Sequence, residues 1–370
     1  MVIGNALVFV NGVFVPGSVT VEDGVITAVG NESNYDIDAK GQYLVPGFID
    51  IHTHGAVGCD FSDGVPEDLQ KLSKYYAKNG VTSFLATTMT LDEDQLHRAM
   101  TALRDFKRPD DGAKCAGVHL EGPFLCYNKR GAQAAEHLHA PDNSMFNRLN
   151  EASGNRVKMV TIAPEVPGAM EFIKQAAPLC TVSVGHTEAD YETAMAAFKN
   201  GARHATHLYN CMPGLHHRDP GVIGAAFDSG ATVELICDGI HVHPSVVRMT
   251  AQLFGENMVA VSDSLRCAGM PDGSYTLGGQ DIEMRGGKAT LAKADTLAGS
   301  STNLLEELRN LVSFGLSLEA ALTAMTATPA KAARLTNIGA IAPGKAADLL
   351  LLNKDLELTA VFIDGQQLQN

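Results

Sequence analysis

Between residues 46 and 263, short apolar runs alternate with stretches whose apolar positions recur at helical spacing. Eight runs read as strands: 48–54, 83–89, 115–121, 157–165, 181–186, 204–210, 233–238 and 258–263. Near-continuous apolar character suits strands covered on both faces. Leu96, Met100 and Leu103 share one helical face behind Thr90 and Glu93, a capping-box pattern. Asn200-Gly201 ends the helix that holds Met195 and Phe198. This alternation predicts eight parallel strands closed into a (β/α)8 TIM barrel. An open doubly wound sheet is the alternative, but no glycine-rich phosphate loop follows the first strand.

The two ends follow a different pattern. Residues 1–43 hold short strands joined by Asn11-Gly12 and Asp23-Gly24, two-residue hairpin signals. Pro343-Gly344-Lys345 is a turn, and strands are expected at 347–352 and 358–363. Both ends together predict a small β-sandwich domain: residues 1–45 its first part, 46–337 the barrel, 338–370 its second part. Glycine-rich turns at 269–291 suggest a β-hairpin insertion packed on the small domain. A helix is expected at 312–324.

Composition narrows the partners. Lys+Arg is 28 against Asp+Glu 42, a formal charge of −14. That argues against nucleic acid or an anionic membrane as partner, and it means that an anionic substrate needs a local basic cluster. Seven cysteines with no C-x-x-C spacing fit packing residues in a reducing compartment, hence a cytoplasmic address. No signal peptide is recognised, and no apolar run approaches the roughly 18 residues of a membrane span.

The strand ends carry the chemistry. Phe48 to His54 is an apolar run ending in His52 and His54, and residues i and i+2 of a strand share a side. In a barrel, functional groups sit at the C-terminal ends of the strands. Those ends hold His52 and His54, then Glu121, His186, His207 and Asp263. Four histidines and two carboxylates around one mouth would make a mono- or dinuclear site for a divalent metal ion: Zn, Fe, Mn, Co or Ni. His119 and His204 fall two or three residues short of a proposed ligand and read as supporting groups. His216-His217-Arg218, after the sixth strand, is the basic cluster an anion would need; a solvated charge run is its other reading.

Gly47-Phe-Ile-Asp-Ile-His-Thr-His-Gly55 and the closing Ile338-Gly-Ala-Ile-Ala-Pro-Gly-Lys-Ala-Ala-Asp348 resemble the amidohydrolase superfamily. His119-Leu-Glu-Gly-Pro-Phe124, Val184-Gly-His-Thr187, His204-Ala-Thr-His-Leu-Tyr-Asn-Cys-Met212, His217-Arg-Asp-Pro-Gly221 and Asp238-Gly-Ile-His-Val-His243 are similar, more narrowly, to its N-acetylglucosamine-6-phosphate deacetylase family. The resemblance implies that Glu121, His186 and His207 hold a core metal ion. It implies a second ion at His52 and His54, so one or two per subunit. Asp263 matches the catalytic aspartate. Asn210, the backbone at Cys211, Arg218 and His241 match positions that hold the sugar phosphate, and Leu297-Ala298-Gly299 matches a loop over the sugar. In that family the arginine reaches the neighbouring subunit's site, which implies a homodimer. Gln133 departs from the pattern, standing where many members carry a substrate-binding histidine. Ser262 to Arg266 stands where alanine-rich variants are common.

The implied reaction hydrolyses an N-acetylated sugar phosphate to acetate and an amino sugar phosphate, and the chemistry of the residues agrees. A metal ion lowers the pKa of water to about 7 and polarises an amide carbonyl. Asp263 can take the water's proton and return it to the departing amine; simple metal ligation is its other reading. Competing functions are deacetylation of the galacto epimer, a cyclic amide hydrolase or deaminase on the same fold, and a non-catalytic scaffold.

Overall fold

The structure, a computed structural model, describes residues 1–294 and 296–369. Asn370, the last residue of the expected small-domain segment, lies outside the described residues.

The barrel strands are β1 (Phe48–Thr53), β2 (Val81–Thr88), β3 (Lys114–Glu121), β4 (Val157–Ile162), β5 (Thr181–Val184), β6 (His204–Ala205), β7 (Thr232–Leu235) and β8 (Met258–Ala260). They pair in parallel in that order. The seam from β8 back to β1 is closed just past the end of β8. Asp263 N donates to His52 O at 2.8 Å, and Ser262 Oγ donates to Asp50 Oδ2 at 2.6 Å. This is the TIM barrel. Its strand residues are buried along most of their length, which is why they read as continuous apolar runs.

The small domain draws strands from both ends of the chain. Tyr43–Pro46 lies between Val2–Val10 and Leu349–Leu352, and Leu350 pairs with Val45. Alternate residues separate two cores. Leu44, Leu349 and Leu351 join Ile3, Val8, Val19 and Ile26 inside the small domain, whereas Val45, Leu350 and Leu352 face the barrel. Ile26 N donates to Lys345 O and Gly344 N to Ile26 O, both at 2.8 Å, so the sheet bends over to form a sandwich. Asn11 and Gly12 have φ of 49° and 81°, the left-handed pair that a two-residue turn between Val10 and Val13 requires.

Three expectations are corrected. The segment after β8 is not a hairpin on the small domain. It is a three-stranded antiparallel sheet (Gly273–Leu277, Gln280–Arg285, Lys288–Leu291), and its Leu277, Ile282 and Met284 join the barrel core. Gln280 Nε2 donates to Ala132 O in the loop beyond β3, which fixes the sheet over the barrel mouth. The helix expected at 312–324 is two, Leu304–Ser313 and Leu318–Met325, separated at Gly315, with Ser317 capping the second. The helix Glu93–Asp105 is capped by Asp92, which accepts from Gln95 N at 2.8 Å. Thr90 is buried, and its N–H donates to Gln133 Oε1 at 2.7 Å.

Candidate metal and catalytic site

Six residues meet at the C-terminal end of the barrel. Glu121 ends β3 with Oε1 3.1 Å from His186 Nε2, 3.1 Å from His207 Nε2 and 3.4 Å from His52 Nε2. Its Oε2 lies 3.1 Å from His54 Nε2. Asp263 Oδ1 stands 3.3 Å from His54 Nε2 and 3.6 Å from His52 Nε2. All six side chains are buried.

The strands stop short of several of these groups. β5 ends two residues before His186, β6 two before His207, and β8 three before Asp263. These three residues have φ of 48°, 26° and 46°. Left-handed backbone at a non-glycine residue costs on the order of 1–2 kcal/mol. Here it accompanies the turn of each side chain onto the barrel axis.

The donor set fits divalent cations. His186 Nε2 and His207 Nε2 are 3.0 Å apart, with Glu121 Oε1 3.1 Å from each. Two nitrogens bound tetrahedrally at about 2.05 Å from one metal would be about 3.4 Å apart. His52 Nε2 is buried with no hydrogen-bond partner, and the oxygens of Glu121 and Asp263 are its nearest charged neighbours. Glu121 belongs to two of the three candidate ligand groups among the described residues, Glu121–His186–His207 and His52–His54–Glu121; the third is His52–His119–Glu234.

The electrostatics agree. Burial alone would lower the pKa of His52, yet the carboxylates of Glu234, Glu121 and Asp263 hold it well above the usual imidazole range. Against the same burial penalty, Asp263 and Glu121 push His54 up to about 9. Glu121 and Asp263 lie below the usual carboxylate range despite burial, because of the imidazoles around them. The cluster favours positive charge between its nitrogens.

Above this floor lies a cavity of about 330 Å³. Gln133, Asn210, Cys211, His241, Leu297 and Gly299 line it. His241 Nδ1 is held 2.7 Å from Asp238 Oδ2, which orients the ring. Two expected residues are elsewhere. Ala298 is buried behind the loop. Arg218 is exposed outside the cavity, with Nη1 2.7 Å from His217 Nε2. Gln133 reaches the cavity with both ends of its amide engaged: Oε1 accepts from Thr90 N, and Nε2 donates to Glu121 Oε2 at 2.6 Å. It braces Glu121.

The ring nitrogens of His119 and His204 bond to groups other than the six of the cluster. His119 bonds Ile51 O and Thr161 Oγ1, and burial and the neighbouring His52 push its pKa down to about 3. His204 lies between Thr232 Oγ1 and Glu234 Oε1. Sequence reasoning missed Glu234, whose Oε2 is 2.8 Å from His52 Nδ1. An acid inside the apolar run Val233-Glu-Leu-Ile236 was the available signal, since a buried charge needs partners.

The amidohydrolase family model matches residues 43–368. The N-acetylglucosamine-6-phosphate deacetylase of Bacillus subtilis (strain 168) is 36% identical, over 97% of this chain and 94% of that protein. The N-acetylgalactosamine-6-phosphate deacetylase of Escherichia coli O157:H7 is 34% identical, over 94% and 93%. Among solved structures, a mutant N-acetyl-D-glucosamine-6-phosphate deacetylase from Mycobacterium smegmatis, in complex with N-acetyl-D-glucosamine-6-phosphate, superposes with a TM-score of 0.94. It is 33% identical, with 100% of this chain and 99% of that chain covered. With its fold, its strand-end residues and these relatives taken together, the chain belongs to the amidohydrolase family, among the N-acetylglucosamine-6-phosphate deacetylases.

Proposed function

We propose that the chain hydrolyses N-acetylglucosamine 6-phosphate to glucosamine 6-phosphate and acetate. The observation that carries the reading is the meeting of His186, His207 and Glu121 on one point, with Asp263 beside it on a cavity floor. Glu121, His186 and His207 would hold one divalent ion; His52 and His54, sharing Glu121, would hold a second. Zn, Fe, Mn, Co and Ni all suit these nitrogen and oxygen ligands. Such an ion supplies Lewis acidity, which activates water and polarises the acetyl carbonyl at neutral pH.

The chain's own groups supply the rest. Asp263 accepts the proton of the attacking water and delivers it to the sugar nitrogen as the C–N bond breaks. Its low pKa keeps it ionised for the first step. Asn210, the Cys211 backbone and His241 bind the sugar phosphate, and Leu297 to Gly299 cover the sugar. Arg218, exposed here, would complete the phosphate site of a second subunit in a homodimer. Residues 1–45 and 338–370 form the small domain and 46–337 the catalytic one. A cytoplasmic address fits seven free cysteines. No helix among the described residues is long and apolar enough to cross a membrane.

The galacto epimer is the second reading, favoured by the name of the Escherichia coli relative. Acetate release from N-acetylglucosamine 6-phosphate, its galacto epimer and unphosphorylated N-acetylglucosamine separates the cases. The gluco phosphate should be fastest. Loss of the phosphate should lower kcat/KM by about 10²-fold, as removal of charge-assisted contacts does. Equal turnover without phosphate would sink the assignment.

A further inference from the structure

We propose that Glu234 is a positioning residue that fixes the tautomer of His52 and, through its negative charge, strengthens that ring as a donor at the second cation position. The inference rests on the reading of His52 and His54 as ligands.

Glu234 sits on β7 with no solvent exposure. Its Oε2 lies 2.8 Å from His52 Nδ1 and accepts from His207 N at 3.1 Å. Its Oε1 lies 3.0 Å from His204 Nε2, and His204 Nδ1 is 2.6 Å from Thr232 Oγ1. An ionised carboxylate only accepts hydrogen bonds. The His52 proton therefore belongs on Nδ1. The opposite tautomer would set a nitrogen lone pair against a carboxylate oxygen at 2.8 Å. With Nδ1 protonated, the lone pair of Nε2 points into the cluster, where that buried atom has no hydrogen-bond partner. The carboxylate also makes the imidazole a better donor to a cation.

The two cation positions lean on Glu234 unequally. His52 is held through its ring. His207 is held only at its backbone N–H, and His186 uses the Lys129 carbonyl instead, at 2.8 Å. Loss of the charge on Glu234 should therefore weaken one position and spare the other.

The test is Glu234→Gln, whose amide oxygen can still accept from His52 Nδ1 and His207 N. Zinc is titrated into metal-free wild type and variant against a competing chelator dye, with metal content counted by mass spectrometry. Wild type should bind two zinc ions. The variant should keep one at unchanged affinity and bind the other about 10- to 100-fold more weakly, the usual effect of removing such a partner. In a His52→Ala background, Glu234→Gln should change nothing further. Two unaltered zinc sites in the variant would overturn the role of Glu234 and leave the ligand reading intact. Equal weakening of both sites, with a lower Tm, would mean a merely structural residue and would also overturn it. A wild type that takes one zinc overturns the proposal and the ligand reading together. If the variant does not fold, histidine-ring ¹⁵N spectra of the zinc-loaded wild type decide. A proton on Nδ1 of His52 supports the assignment, and one on Nε2 overturns it.

Discussion

Asp263 is the residue on which the proposed chemistry turns, and its backbone is as constrained as its carboxylate. Its N–H donates to His52 O and its carbonyl accepts from Ser300 N, both at 2.8 Å, which holds its left-handed φ of 46° in place. Asn at this position keeps the shape and both backbone bonds but cannot take a proton. Asp263→Asn should retain its metal content and lose about 10²- to 10⁴-fold in kcat, the contribution of a positioned general base. Metal lost in step with activity would instead mark the residue as a ligand only. His52, His54, Glu121, His186, His207 and Asp263 were legible in the chain because each falls at or just after an apolar run. Glu234 was not, because its role depends on partners brought near by the fold. Gln133, read from the chain as a substrate contact, lines the cavity, and the fold adds its amide bonds to Thr90 and Glu121. Glu234 finds His52 across 182 positions of sequence.

At the scale of elements, period and turn chemistry located the strands, and tertiary contacts decided the details. The cap of Glu93–Asp105 moved from Thr90 to Asp92 because Thr90 is buried against Gln133. The sheet after β8 could not be placed from its own residues, since its apolar face suits either core. One contact joining the barrel to the small domain is testable. Lys114, which opens β3, holds Asp348 at 2.8 and 3.1 Å and also meets Asp364. Asp348 is almost fully buried and accepts from Asp364 N at 3.0 Å. Burial raises its pKa against the pull of Lys114, so the pair stabilises less than its geometry suggests. Asp348→Asn should cost about 1–3 kcal/mol, as losing a hydrogen bond to a charged group does, and should lower the urea midpoint. Because Lys114 opens the strand that Glu121 closes, the contact lies at the far end of the barrel, and kcat/KM should be unchanged. A fall in kcat/KM without loss of stability would contradict that separation.

On the scale of the whole molecule, the phosphate site turns on the position of Arg218. A chain of net charge −14 that binds a phosphate needs cations placed with care. Yet among the described residues no lysine or arginine lines the cavity, and His54, His186, His207 and His241 are the only basic side chains that do. Arg218 stands in solvent beside His217. Either the phosphate is held by neutral groups and His241, or a second copy of the chain brings its own Arg218 into the site. The two cases separate in a mixing experiment. Arg218→Ala alone should raise KM about 10-fold or more, since a charge-assisted contact contributes roughly 1.5–3 kcal/mol. Asp263→Asn alone should be nearly inactive. In a mixture allowed to exchange subunits, half the dimers pair one variant with the other. In each of these, the subunit that keeps Asp263 receives an intact Arg218 from its neighbour. About a quarter of all sites then regain both groups, and activity with a wild-type KM should return. If Arg218 serves its own subunit, no site holds both groups and nothing returns. A mixture that stays at the high KM of Arg218→Ala after complete exchange would place the phosphate contact within one chain and remove the reason for a shared site.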